Sequence, residues 1–132
     1  MKSFNLNAII RAQKDLMHNF RNLRIWQDAR LFAKKIYLTT KSFPKEENFG
    51  LSSQMKRAAV SIISNIAEGC GREGDKGVRQ FLTYSLSSAF ELEAQLLLSA
   101  DLELIPEKEA AELVKELRGI QKGIYFFRQN LQ

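Results

Sequence analysis

The sequence predicts an all-α protein with the architecture of an antiparallel up-down-up-down four-helix bundle. Four long segments repeat apolar residues at spacings of three and four, which is the period of an amphipathic helix. The connectors between these segments are short, so successive helices are expected to lie side by side. No segment alternates apolar and polar residues with the period of a strand. We expect one bundle domain over residues 21–132, preceded by an extension over residues 1–20.

The extension carries only a weak amphipathic pattern without capping residues, which suits either a short helix or disorder. The strongly patterned sequence begins just after Met17. Translation that started at Met17 would therefore leave the predicted bundle unchanged.

The first predicted helix covers residues 23–42 and ends at Phe43-Pro44, because a residue before proline is pushed out of the α region. The face of this helix opposite its apolar rows is rich in Lys and Arg. This composition suits either a solvated surface or contacts with phosphate. Residues 45–50 form a polar connector. The two apolar rows of this helix are Ile25, Ala29, Phe32 and Ile36, and Trp26, Ala33, Tyr37 and Thr40.

The second predicted helix covers residues 51–68, with Ser52 or Ser53 as its N-cap. It is expected to end where Gly69 and Gly71 permit a positive φ. Its apolar rows are Met55, Ala59, Ile62 and Ile66, widened by Val60, Ile63 and Ala67.

A polar stripe interrupts the apolar surface of this second helix. Arg57 and Glu68 lie about three turns apart along it, too far for direct pairing. Their partners are expected from another helix or from another copy of the chain. The stripe is either a set of satisfied polar groups on a core helix or part of a subunit interface; its members are Arg57, Ser61, Asn65 and Glu68.

The third and fourth predicted helices run from residue 75 or 77 to residue 100, and from Pro106 to the end of the chain. The second and third helices are apolar over more than the ~100° stripe that one bundle buries. This surplus predicts self-association. The inner row of the third helix is Val78, Leu82, Ser85, Ala89, Leu92 and Leu96, widened by Phe81, Leu86 and Leu97. The polar stripe of the third helix is Tyr84, Ser88, Glu91 and Gln95. The apolar seam of the fourth helix is Ala110, Leu113, Leu117, Ile120, Ile124, Phe127 and Leu131.

The reactive residue types are scarce. Cys70 is the single cysteine and His18 the single histidine, so neither an internal disulfide nor a metal-ligand spacing is available. No nucleophile–base pair and no cofactor loop is recognisable, and we expect no enzyme, no cofactor and no metal. The residues left for catalysis would be Arg57, Asn65, Glu68 and Arg72.

The termini and hydropathy predict a cytoplasmic protein. The N-terminus lacks an apolar core of signal-peptide length, and no run of ~18 apolar residues spans a membrane.

The charge is uneven along the chain. The net charge is +5, but residues 1–66 carry twelve Lys and Arg against four Asp and Glu, whereas residues 67–132 carry eight against eleven. Such asymmetry suits either a surface that faces nucleic acid or a complementary contact between copies. The candidate phosphate contacts are Arg21, Arg24, Arg30, Lys34, Lys35, Lys41, Lys56, Arg72, Lys76 and Arg79.

Several motifs resemble one family, the four-helix-bundle proteins encoded in intervening sequences of bacterial 23S ribosomal RNA genes. The resemblance covers residue 20 to the end and makes residues 1–16 look like an extension. It departs at Ser87-Ser88, where the family commonly has Gly-Ser. The motifs that carry it are Leu23-Arg-Ile-Trp-Gln-Asp-Ala29, Phe43-Pro44, Gly50-Leu51, Gln54-Met-Lys-Arg57-Ala58-Ala59-Val60-Ser61, Asn65-Ile-Ala-Glu-Gly69 and Arg72.

The resemblance implies a bundle that assembles into a homopentameric ring. The chain is also similar to the accessory protein of diversity-generating retroelements, a basic pentamer that associates with a reverse transcriptase and nucleic acid. Two hypotheses about function follow. The first is a non-enzymatic module that binds RNA or DNA, above all structured RNA, through phosphates. The alternative is a protein–protein interaction scaffold or accessory subunit with no direct nucleic-acid role.

Overall fold

The computed structural model describes residues 19–131, and in this range it contains four α-helices and no strand. Most of the predicted extension, including Met17, lies outside the described residues. Short 3-10 turns precede the first helix, at Phe20–Asn22, and the second helix, at Lys45–Phe49. The helices are α1 (Arg24–Thr40), α2 (Leu51–Cys70), α3 (Asp75–Asp101) and α4 (Glu107–Gln129).

The four helices pack around one apolar core, and each contributes the inner row that its periodicity predicts. Most residues of the central rows are buried, as at Ile36, Ile62, Leu92 and Ile124, whereas Ile25, Phe127 and Leu131 at the ends of their rows are half-buried. The apolar rows that flank the central rows are buried less completely. Three of their members face outward: Tyr37 is 44% exposed, Val60 38% and Leu97 51%.

The closest packing joins α2 and α3. The Ser85 hydroxyl donates to the Ile62 carbonyl oxygen across 2.8 Å, and the Ser99 hydroxyl lies 3.3 Å from the sulfur of Met55. Gly69 is buried, and a Cβ on it would lie 3.1 Å from the Cβ of Phe81. Small side chains therefore let the two helix backbones approach closely.

The ends of α2 differ from the prediction. Gly50 occupies the N-cap position, Ser52 is buried inside the first turn, and the carboxylate of Glu47 accepts the Leu51 N–H at 2.9 Å. The 3-10 turn supplies this carboxylate, so a serine cap is unnecessary.

Glycine also has a different role at the C-terminal end of α2. Gly69 is helical and Gly71 has φ −86°, so the predicted positive φ at these two residues is wrong. The positive φ falls at Gly74, at +81°, immediately before α3. Gly69 serves the close contact with Phe81 instead.

The end of α3 contains an unusual backbone conformation. Glu103 has φ +59°, in the left-handed region, while the Leu104 N–H donates to the Ser99 carbonyl oxygen at 2.9 Å. This arrangement ends a helix by satisfying its last carbonyl groups, and glycine is the usual residue there. Pro106 then takes the N-cap position of α4.

Candidate nucleic-acid interface

Six of the ten predicted phosphate contacts belong to three chain segments: the 3-10 turn with the first half of α1, the connector after α2, and the start of α3. The 3-10 turn before α1 packs against α1 and α2, and the Cβ of Arg72 is 3.2 Å from the Cβ position of Gly77 in α3. The 3-10 turn therefore lies against α2, and Arg72, just after α2, lies beside the start of α3. We call the six residues the basic end: Arg21, Arg24, Arg30, Arg72, Lys76 and Arg79.

Three arginines of the basic end have partners within the chain. Arg24 lies 3.7 Å from Asp28, and Arg72 lies 3.4 Å from Glu68. Arg30 sits over the ring of Trp26 at 5.4 Å. Exposed ion pairs contribute only about 0–1 kcal/mol, so a phosphate can replace such a carboxylate at little cost.

The other three cations of the basic end, Arg21, Lys76 and Arg79, form no ion pair with any residue between 19 and 131. Four carboxylates share this end, and they reduce its local charge: Asp28, Glu68, Glu73 and Asp75. Binding there would depend on individual Arg and Lys contacts more than on a strong uniform field.

The remaining four candidates do not join the basic end. Lys35 is paired with Glu116 of α4 at 2.8 Å, and Lys34 is exposed on α1. Lys41 and Lys56 line a cleft of about 290 Å³ near the other end of α1, where Lys56 lies 5.6 Å from the ring centre of Tyr37. The ten predicted contacts therefore divide into separate groups.

A further row of cations, absent from the prediction, lies on α4. Lys115, Arg118 and Lys122 line a shallow depression of about 360 Å³. Arg118 reaches Glu93 of α3 at 3.2 Å, while Lys115 and Lys122 are exposed. The spacing of three and four residues places them on one helix face, and that spacing is the signal by which the sequence could have revealed them.

The polar stripe of α2 is satisfied mostly within the chain. The hydroxyl oxygens of Ser61 and Ser88 are 2.8 Å apart in a hydrogen bond, which joins the two predicted polar stripes. The Asn65 amide donates to the carbonyl oxygen of Ser61 at 2.8 Å and to its hydroxyl at 3.0 Å.

The two charged members of the stripe behave differently. Glu68 finds its partner in Arg72, one turn further along the same chain, so the prediction of a partner on another helix or another copy is wrong for Glu68. Arg57 is exposed and has no ion pair with any described residue. Beside the stripe, the buried Gln95 Oε1 has no hydrogen-bond partner within the described chain.

Exposed apolar surface was predicted on α2 and α3, and the structure has it on α3 but hardly on α2. Val60 is the one large hydrophobic residue of α2 that is exposed, because most of the other apolar residues of α2 are buried against its neighbours. Within residues 19–131, the other exposed large apolar side chains lie on α1, on α3 and just after it, and on α4: Leu31, Tyr37, Leu38, Tyr84, Phe90, Leu97, Leu98, Leu102, Tyr125 and Phe126.

Three general features of the described range bear on the class of site. No helix between residues 19 and 131 is long and apolar enough to span a membrane. In the same range, no three His, Cys, Asp or Glu side chains come together as a metal site. Cys70 is buried, and burial raises the pKa of its thiol from 9.0 to about 11.

The helices and their motifs define a class of small all-helical proteins with four helices around one core. Residues 21–125 match the family described as 23S rRNA-intervening sequence protein, and the chain belongs to this family. The resemblance seen in its motifs is thereby confirmed.

A solved structure shares the fold. It is a protein of unknown function from the S23 ribosomal protein family of Bacteroides thetaiotaomicron VPI-5482. The two chains are 22% identical and superpose with a TM-score of 0.74, over 86% of this chain and 98% of the other. No functionally curated protein matches the chain.

Proposed function

We propose that the chain is a non-enzymatic, oligomeric four-helix-bundle protein that binds nucleic acid, in particular structured RNA, through its basic surface in the cytoplasm. The observation that carries the proposal is the basic end, where α1, α3, the 3-10 turn before α1 and the connector after α2 together contribute six Arg and Lys side chains. Cations held in weak surface pairs can exchange a carboxylate for a phosphate. Such contacts position the backbone of a nucleic acid without reading its sequence.

The proposal includes an up-down-up-down antiparallel arrangement of the helices, which gathers the six cations. Contacts between α3 and α4 support it: Arg128 reaches Thr83 at 3.2 Å, whereas Arg118 reaches Glu93, later in α3. Contacts between α2 and α3 follow the same order, because Ile62 meets Ser85 and the earlier Met55 meets Ser99. Residue numbers thus rise along one helix as they fall along its neighbour.

Assembly into a homopentameric ring completes the proposal. The ring itself is what the family resemblance implies, and exposed apolar side chains support self-association. Leu31 and Leu38 are 59% and 53% exposed and lie seven residues apart on α1. Leu97 and Leu102 are similarly exposed at the end of α3. A ring would repeat each basic end, so that weak contacts gain avidity.

The proposal is tested by measuring oligomer mass and RNA affinity on the same preparation. Multi-angle light scattering gives the mass, and fluorescence anisotropy with a structured RNA gives the affinity across a salt series. We expect a mass above that of one chain and an affinity that falls steeply with salt. A stable monomer would overturn the assembly, and the absence of salt-sensitive binding to RNA and DNA would overturn the nucleic-acid role.

The alternative is a protein–protein scaffold or accessory subunit, and the exposed apolar side chains favour it as well. A protein partner that is retained after nuclease treatment would support this alternative. The proposal assigns no catalytic role to Arg57, Asn65, Glu68 or Arg72. If Glu68→Gln abolished a measured turnover while the oligomer mass stayed unchanged, an enzymatic function would have to be considered.

A further inference from the structure

A groove between α3 and α4 combines exposed aromatic rings with cations. Its volume is about 400 Å³, within the ~300–1,000 Å³ range of small-molecule sites. The rings of Phe90 and Tyr125 are 57% and 51% exposed, and the buried Leu86 contributes to the lining. The groove is lined by Leu86, Phe90, Gln121, Lys122, Tyr125 and Arg128.

The charge of the groove is of one sign, because its lining contains two cations and no carboxylate. Arg128 sits over the ring of Tyr125 at 5.2 Å and donates to the Thr83 hydroxyl at 3.2 Å, which holds its guanidinium beside the aromatic surface. Lys122 is exposed and forms no ion pair with any described residue. The basic end, by contrast, contains four carboxylates beside its six cations.

Gln121 is already engaged on the α3 side. Its amide donates to the Glu93 carboxylate at 2.9 Å and lies 3.4 Å from the Ala89 carbonyl oxygen. The polar groups that remain for a ligand are therefore chiefly the two cations, together with the Tyr125 hydroxyl. From this groove, Arg118 and Lys115 continue the row of cations along α4.

We propose that the groove binds a single-stranded segment of nucleic acid, with a base stacked on Phe90 or Tyr125 and the adjoining phosphate on Lys122 and Arg128. Aromatic platforms beside a cationic track are the usual means of holding single strands, because every base offers a π-face. A purely apolar peptide would leave both cations without an anionic partner. The inference rests on the proposed nucleic-acid function and specifies that this second site binds single-stranded nucleic acid.

The test compares Phe90→Ala and Tyr125→Ala with the unchanged protein on three probes: a short oligouridylate, an abasic oligonucleotide of the same length, and an RNA duplex. Loss of one stacked base is expected to weaken oligouridylate binding between about 5-fold and 150-fold. Duplex binding and abasic binding should change little. Phe90→Trp keeps an aromatic face and should retain the affinity for oligouridylate.

The matched control is Phe126→Ala. Phe126 is 67% exposed, follows Tyr125 directly on α4 and lies outside the groove, so its loss removes a ring that is more exposed than Phe90 or Tyr125 without changing the lining of the site. We expect Phe126→Ala to bind oligouridylate as the unchanged protein does. Thermal melting followed by circular dichroism verifies that all the variants fold.

The outcomes separate this inference from the proposed function. Equal binding of oligouridylate by Phe90→Ala, Tyr125→Ala and the unchanged protein overturns the inference but leaves the basic end in place. Equal affinity of the unchanged protein for abasic and base-containing strands does the same. A fall in oligomer mass for Phe90→Ala without nucleic acid assigns the groove to a second copy and overturns the inference. No salt-sensitive binding of any probe overturns the proposed function itself.

Discussion

Removal of two exposed cations from the basic end is a direct test of the proposed binding to RNA. Arg21 and Lys76 lie in the turn before α1 and the first turn of α3, and both are exposed without an ion pair among residues 19–131. The double variant Arg21→Gln/Lys76→Gln therefore removes positive charge without leaving a carboxylate unpaired. We expect the fold to change in stability by less than about 0.5 kcal/mol.

The expected magnitude follows from counterion release. Each phosphate neutralised on a duplex contributes about −0.9 to the slope of log affinity against log salt. Loss of two contacts should make the slope shallower by about 1.8 for each protomer that contacts RNA. Between about 50 and 200 mM salt, the unchanged protein should then lose roughly tenfold more affinity than the variant.

The assay is fluorescence anisotropy with a structured RNA over that salt range, and its control is Lys45→Gln/Lys108→Gln. Lys45 and Lys108 are exposed, lie outside the basic end, and carry the same total charge as Arg21 and Lys76. The control should keep the slope of the unchanged protein. Equal slopes for the two double variants would refute a localised contact at the basic end and would leave only a net-charge effect.

Three further predictions concern the stability of the fold. Glu103→Gly should raise the free energy of unfolding in urea by up to about 1 kcal/mol, because glycine adopts φ +59° without strain. The control variant Glu112→Gly, in the exposed part of α4, should lower the free energy of unfolding by about 1 kcal/mol. Ser85→Ala should lower the free energy of unfolding by about 1 kcal/mol, since it removes the buried 2.8 Å hydrogen bond to the Ile62 carbonyl; an unchanged urea midpoint would contradict this. The Cys70 thiol, whose pKa rises from 9.0 to about 11 on folding, should stabilise the fold fully below pH 9 and lose that contribution as pH rises to 11; a Cys70→Ala variant with the same fall in stability over that pH range would contradict the assignment.

The positions of the helices were predictable because they depend on local periodicity. Buried residues such as Phe32, Leu92 and Leu117 recur at helical spacing, and most residues of the predicted central rows are buried. The residues at the edges of these rows were less predictable. Leu97 and Val60 are as apolar as their buried neighbours, but the positions of the adjacent helices leave them exposed.

The candidate site was predictable only in part. Arg21 is far in sequence from Arg72 and Lys76, so a common location would depend on which helix ends come together. Composition alone could not separate them from Lys35, whose charge is paired with Glu116 of α4. The groove of Phe90 and Tyr125 was missed for the same reason, since its two rings belong to different helices.

The amino-acid sequence by itself determined that this chain forms four amphipathic helices, which face of each one turns inward, and to which family it belongs. These properties follow from residues within a few turns of each other. The tertiary structure alone decided that Gly69 accommodates Phe81, that Ser61 bonds to Ser88, and that Arg118 of α4 reaches Glu93 of α3. Each of these features requires contact between residues distant in the chain, and such contacts exist only once the helices have packed.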